Sequence, residues 1–311
     1  MGNTTSAELN HDNVKTPAVN KLYSSRYNLI PSHPGHEYDT ITLENLKKKY
    51  DIEDYSKLDK YVDLRSGFPN IINIQNIPIN AIACVSYALH YSLLKNNLPV
   101  FPPSLMYIFN NIQFYPNISS VLNYDTIFQS ILDNGFCSEN EMRTSEENIG
   151  TNIDEKTREK ALAFKFINIY KVENKLETIK MLIKHKYPII VGMTVYYELS
   201  NIDSYFWMPD KSQDRKLGGI GGVIVGYIDE RKMFIVASTY GETFGNSGYI
   251  LVPYDYIINE NYTYEKYILD FNSDRVNGYI SQRREMVSLE KKPNEKVKEI
   301  YKQNMFDNLF S

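Results

Sequence analysis

Apolar residues are scarce over the first 22 positions and then recur in two distinct rhythms, helical at first and β-like later. Residues 1–22 therefore read as an extended, polar terminus. The stretch Arg26 to His36 carries Pro31 and Pro34, which forbid regular helix, and reads as a strap lying on a surface. A short amphipathic helix is expected over Leu43 to Tyr50. From Ala81 to Leu94, the residues Cys84, Ala88, Tyr91 and Leu94 fall on one stripe, which predicts a central, buried helix. Pro102-Pro103-Ser104 opens a second helix through Leu105, Met106, Ile108 and Phe109, because proline is tolerated at a helix start and serine caps it. A third runs from Tyr124 to Asn134 and stops at Gly135. Charged residues 138–160 read as a surface excursion, and Lys175 to His185 as an amphipathic helix leading into a strand over Tyr187 to Met193. Val223 to Tyr227, Met233 to Ser238 and Gly248 to Pro253 are β-branched or aromatic runs separated by turn signals. Helices first and antiparallel strands afterwards predict an α+β protein, a helical lobe packed on a strand-rich one. After Pro293 a last helix would place Val297, Ile300, Tyr301 and Met305 on one stripe and dock on its own chain.

Composition narrows what such a chain can do. With 42% hydrophobic residues, 26 tyrosines and a formal net charge of −4, its 311 residues can bury a full-sized core. The charge balance lacks the basic excess that neutralising several phosphates requires, so nucleic acid is not an expected partner. Lys47-Lys48-Lys49, the densest basic run, reads as a solvated helix face. Two cysteines, Cys84 and Cys137, exclude a multi-disulfide scaffold and point to an intracellular, reducing compartment. No apolar run is long enough to span a bilayer.

Met1-Gly2-Asn3-Thr4-Thr5-Ser6 fits the pattern for N-myristoylation at Gly2. One acyl chain gives marginal membrane affinity and residues 1–20 add little basic charge, so a membrane-associated chain would also need a protein partner.

Several separated stretches, in order, resemble papain-like cysteine peptidases of the C1 type. Val62-Asp63-Leu64-Arg65-Ser66-Gly67-Phe68-Pro69 resembles the entry into that family's catalytic helix, and Ala83-Cys84-Val85-Ser86-Tyr87-Ala88 the start of the helix with its nucleophile. Ser104-Leu105-Met106-Tyr107 and Gly135-Phe136-Cys137-Ser138-Glu139 are similar to later helical-lobe segments, and Tyr187-Pro188-Ile189-Ile190-Val191-Gly192 to the first strand of the other lobe. Gly226-Tyr227-Ile228-Asp229 and Tyr240-Gly241-Glu242-Thr243-Phe244-Gly245-Asn246-Ser247-Gly248-Tyr249 resemble the closing strands and an aromatic-glycine loop. The resemblance implies a two-lobe fold over 61–285, with a helical lobe at 61–180 and a β lobe at 181–285. Residues 1–22 would precede it as a flexible terminus, 23–60 as strap and short helix, and 286–311 would follow as linker and helix.

The chemistry of that family needs a thiolate, a base, a residue orienting the base and an oxyanion donor. Cys84 falls at the nucleophile position, at the amino end of the predicted helix, where the helix dipole would favour a thiolate. Ile220, within Gly218-Gly219-Ile220-Gly221-Gly222, stands where the catalytic histidine belongs, and Ser238 where an asparagine would orient it. Tyr240 replaces a shielding tryptophan and Ile82-Ala83 replaces Gly-Ser before the nucleophile; the family spacing of the oxyanion donor falls on Pro78, and a short insertion would make Gln75 or Asn76 the candidate. The doubled glycines fit either close packing of the strand or a strand relaxed by loss of the histidine. His90 and His185 are placed away from the thiol, and His11, His33 and His36 belong to the amino-terminal segment. These departures imply a pseudopeptidase needing no cofactor or metal, kept for binding a protein partner or as a structural component. The Lys-, Asn-, Ile- and Tyr-heavy composition is compatible with a virion protein of a large DNA virus. The enzymatic alternative keeps Cys84 as the nucleophile of a peptidase or acyl transferase with an unusual base.

Overall fold

The computed structural model describes residues 27–32, 37–51, 58–74, 77, 79–113, 122–196, 205–210 and 214–290. Eight helices are described: α1 (Leu43–Tyr50), α2 (Asn80–Lys95), α3 (Leu105–Gln113), α4 (Tyr124–Asn134), α5 (Glu155–Ala161), α6 (Leu176–Lys184), α7 (Tyr254–Ile258) and α8 (Ser273–Glu290). Eight strands accompany them: β1 (Thr40–Ile41), β2 (Tyr61–Asp63), β3 (Ile167–Val172), β4 (Ile189–Val195), β5 (Gly218–Ile228), β6 (Met233–Ala237), β7 (Tyr249–Pro253) and β8 (Thr263–Phe271).

Local signals account for the helix ends. Thr42 and Asn45 form a reciprocal capping box at the start of α1. The Asn123 side chain accepts from the Thr126 N–H to start α4, and Gly135 ends it with φ at 66°. A Cβ at Gly135 would lie 1.9 Å from the Ala161 carbonyl oxygen, so only glycine fits that stop. α2 is buried along nearly its whole length, from Asn80 to Leu93, although Leu94 at the end of its predicted stripe faces solvent.

All eight strands join one sheet in the order β1-β3-β8-β4-β5-β6-β7, with β2 pairing antiparallel to β5 beside this path. β1 and β3 pair in parallel and the other neighbours antiparallel. The sheet is wider than the sequence expectation. Strands β1 and β2 come from before α2, and β3, preceding α6, pairs with β8 across about a hundred residues of chain. Central β4 and β5 are buried on both faces, and α2 packs across β5, β8 and β4. The mixed α+β architecture stands, while the strict sequence of helices before strands does not.

The strap takes a different place from the expected one. Asn28 and Leu29 are buried and Pro31 is exposed, so the strap is sunk into the body at its start rather than lying wholly on a surface. The Leu29 N–H donates to the Gly219 carbonyl and the Gly219 N–H to the Tyr27 carbonyl, at 3.2 and 3.4 Å. The Ile30 N–H donates to the Leu122 carbonyl and the Leu122 N–H to the Asn28 carbonyl, at 2.9 and 3.1 Å. One side of the strap thus pairs with the start of β5 and the other with the residues just before α4. Backbone groups that would be stranded at the seam between helices and sheet find partners this way. The expected helix after Pro293 lies outside the described residues.

Candidate functional site

Cys84 is the fifth residue of its helix, which starts one residue before the expected Ala81. α2 begins at Asn80, with Ile79 as an N-cap that offers no side-chain acceptor, so the thiol is not at the exposed helix tip. It is fully buried, and this desolvation pushes its pKa up, opposed only by its own backbone hydrogen bond. Burial therefore overrides the expected dipole assistance.

The residue opposite the sulfur is a glycine. A Cβ built on Gly221 would lie 3.0 Å from Cys84 Sγ, 3.0 Å from Asn80 Oδ1 and 2.6 Å from the Tyr124 hydroxyl. Ile220, the expected base position, pairs with Met193 and by strand alternation projects to the other face of β5. Pairing of β5 with β6 shifts register between Ile224 and Gly226, beyond the stretch that faces the helix. Gly221, rather than Ile220, thus faces the thiol, and neither side chain can accept a proton.

Asn80, which the sequence reading passed over, organises this point. β6 ends at Ala237, opposite Val223, so Gly221 has no strand neighbour on that edge. The Asn80 amide replaces one: its Oδ1 accepts from the Gly221 N–H at 2.5 Å, and its Nδ2 donates to the Gly221 carbonyl at 3.3 Å and to Thr239 Oγ1 at 2.8 Å. Asn80 and Cys84 stand four residues apart on one helix face and converge on the same glycine. That spacing, with a polar residue opening an otherwise apolar helix, was the available signal. Tyr124, whose hydroxyl donates to the Val191 carbonyl at 3.0 Å, closes the remaining side.

Of the other predicted residues, Ser238, His90 and His185 are described and each has its own surroundings. Ser238 is buried and its Oγ accepts from the Tyr240 N–H at 3.3 Å, so it caps its own turn. Gln75, His11, His33 and His36 lie outside the described residues, as does Gly2. His90 lines a groove of about 720 Å³ with Phe68, Ile74, Tyr87, Pro103 and Glu139, and burial lowers its pKa. His185 stacks on Tyr50 with ring centroids 3.5 Å apart, its pKa lowered by burial and then by Lys184, Lys95 and Lys49. Cys84 and Cys137 are both free thiols. Among the described residues no group of three or more His, Cys, Asp or Glu side chains could hold a metal ion, and no helix is long and apolar enough to cross a membrane.

The glycines of β5 are explained by contact. A Cβ at Gly219 would fall 2.0 Å from the Leu29 carbonyl oxygen, and one at Gly222 2.7 Å from Val236 Cγ1. Close approach of strap, helix and neighbouring strand, rather than relaxation, requires glycine here.

No family model matches the chain. Over 282 residues it is 25% identical to an uncharacterized peptidase C1-like protein of Acanthamoeba polyphaga mimivirus, covering 81% of this chain and 89% of that one. Xylellain, a cysteine protease from Xylella fastidiosa, superposes with a TM-score of 0.69 at 20% identity, over 79% of this chain and 96% of its own. A digestive procathepsin L2 from Tenebrio molitor larval midgut gives 0.65 at 14% identity, over 83% and 81%.

Proposed function

We propose that this chain, a papain-like homologue of the C1 type, is a catalytically inert scaffold that binds a protein partner or serves as a structural component. The observation that carries this reading is the fully buried Cys84 thiol facing Gly221, with an amide and a phenol in place of an imidazole. Nucleophilic catalysis needs a thiolate that substrate can reach and a base to make it. A buried thiol with a raised pKa meets neither requirement. The strap adds weight to the same reading, since the chain's own residues 27–32 fill the seam between helical layer and sheet.

In this proposal, acylation at Gly2 brings the scaffold to a membrane. A relative encoded by a mimivirus, together with the composition, supports a place in the particle of a large DNA virus. The purified full chain, offered a mixed panel of fluorogenic peptides, is expected to release no fluorophore above the level of its Cys84→Ala variant. Turnover that this substitution abolishes would reject the inert scaffold in favour of an enzyme.

A further inference from the structure

Four of the seven large exposed apolar side chains among the described residues fall within one stretch of chain, 205–217. Tyr205, Trp207, Met208 and Leu217 leave 54%, 38%, 40% and 38% of their surface open to solvent. Between them, buried Phe206 anchors the segment: its N–H donates to the Leu251 carbonyl at 2.7 Å and its ring meets Tyr256 edge-on at 5.5 Å. Leu217 is tied to the same spot. Its N–H donates to the Val195 carbonyl, while the neighbouring Thr194 carbonyl accepts the Tyr256 hydroxyl. Tyr256 thus touches both the anchor of residues 205–208 and the strand end that holds Leu217.

Charge and chain path give this patch a direction. Arg215 and Lys216, beside Leu217, are exposed; Asp210 is also exposed, and its N–H is held by the Asp214 carboxylate at 2.7 Å. The strap reaches the same corner. Tyr27 packs against Gly218, the residue after Leu217, where a Cβ would lie 2.4 Å from the Tyr27 carbonyl oxygen. Residues 1–26, which carry Gly2, therefore join the body at the rim of the patch.

We infer that Tyr205, Trp207, Met208 and Leu217 form a lipid-contact surface, entering the interfacial region of a bilayer with Arg215 and Lys216 against anionic headgroups. Tryptophan and tyrosine favour that region because their rings are apolar with one polar end. A protein partner could use the same aromatic side chains. The flanking cations, and the arrival of the acylation-motif segment at this corner, favour lipid. This surface supplies the second anchor that one myristoyl chain lacks. The inference deepens the membrane half of the proposed function and rests on that reading for its choice of lipid, but not on the state of Cys84.

Trp207 is the chain's single tryptophan, so its fluorescence reports this surface alone. The full, unacylated chain is titrated with vesicles of phosphatidylcholine and phosphatidylserine. Expected are a blue shift of the Trp207 emission, quenching by lipids brominated in their acyl chains, and loss of both at high salt. Met208→Ser with Leu217→Ser should weaken partitioning at least about tenfold with the melting temperature unchanged. If that pair fails to fold, Arg215→Gln with Lys216→Gln should flatten the salt dependence instead. Vesicles that leave the emission unmoved overturn the inference, and so does sedimentation of the chain with vesicles while Trp207 still emits as a water-exposed indole. Peptide turnover by the same preparation would sink the inert-scaffold reading and leave the lipid result standing.

Discussion

A thiol one turn inside a helix, with a glycine before it and an asparagine amide beside it, is fully buried, and that burial holds its pKa above the ordinary thiol value. Asn80 carries no basic lone pair at neutral pH, and its amide is already committed to Gly221 and Thr239. The same crowding makes Gly221 a sensitive position. Gly221→Ala forces a methyl to within 3.0 Å of both Cys84 Sγ and Asn80 Oδ1, and is expected to cost about 1–3 kcal/mol in urea unfolding. Ile220→His should yield no turnover, since its imidazole would start on the face of β5 away from the sulfur. A second residue-scale expectation concerns Lys266, buried in β8, whose desolvation lowers its pKa to about 8. The unfolded chain then holds this proton more tightly than the folded one between pH 8 and the ordinary lysine value near 10.5. Lys266 therefore makes the fold gain stability as pH rises through that window. Lys266→Met should stabilise the fold at pH 7 by about 3 kcal/mol or less, and the gap to wild type should narrow as pH rises to about 10. A gap independent of pH would place the lysine in water.

Among the elements, the strap yields the sharpest expectation. Gly219→Ala would put a methyl 2.0 Å from the Leu29 carbonyl oxygen, so it should dislodge the strap while the sheet persists. Hydrogen exchange is expected to lose protection first at the Leu29 and Ile30 amides, and unchanged protection there would refute the clamp. The elements also differ in how plainly the sequence announces them. α1 and α4 are legible because Thr42, Asn123 and Gly135 are local stop and start signals, and their bounds coincide with the expectation. β3 and β8 are not, since Ile-Asn-Ile-Tyr-Lys-Val and Thr-Tyr-Glu-Lys-Tyr-Ile-Leu-Asp-Phe mix apolar with charged residues and find each other only across long chain separation. The start of α2 was legible to within one residue, Ala81 against Asn80, but the role of Asn80 was not, because its partner Gly221 lies far along the chain. Which of Ile220 and Gly221 faces the sulfur is set by how β5 packs against α2, and packing leaves no mark in composition.

At the scale of the whole molecule, separated motifs carried the fold class, and the structural neighbours bear the same architecture at 20% identity or less. Motif matching places residues along a strand, whereas chemistry depends on faces and depth, and these emerge only from packing. The scaffold keeps its central helix against its central strands and fills the space between them with Asn80, Tyr124 and the strap. Such a body can present surfaces without opening a catalytic cleft. The direct test is the reactivity of the Cys84 sulfur in the native chain, read by mass spectrometry after exposure to a peptidyl electrophile selective for thiol peptidases. No adduct at Cys84 is expected until denaturant unfolds the protein, after which the thiol should label fully. Rapid, stoichiometric labelling of native Cys84 that a competing peptide blocks would contradict the account.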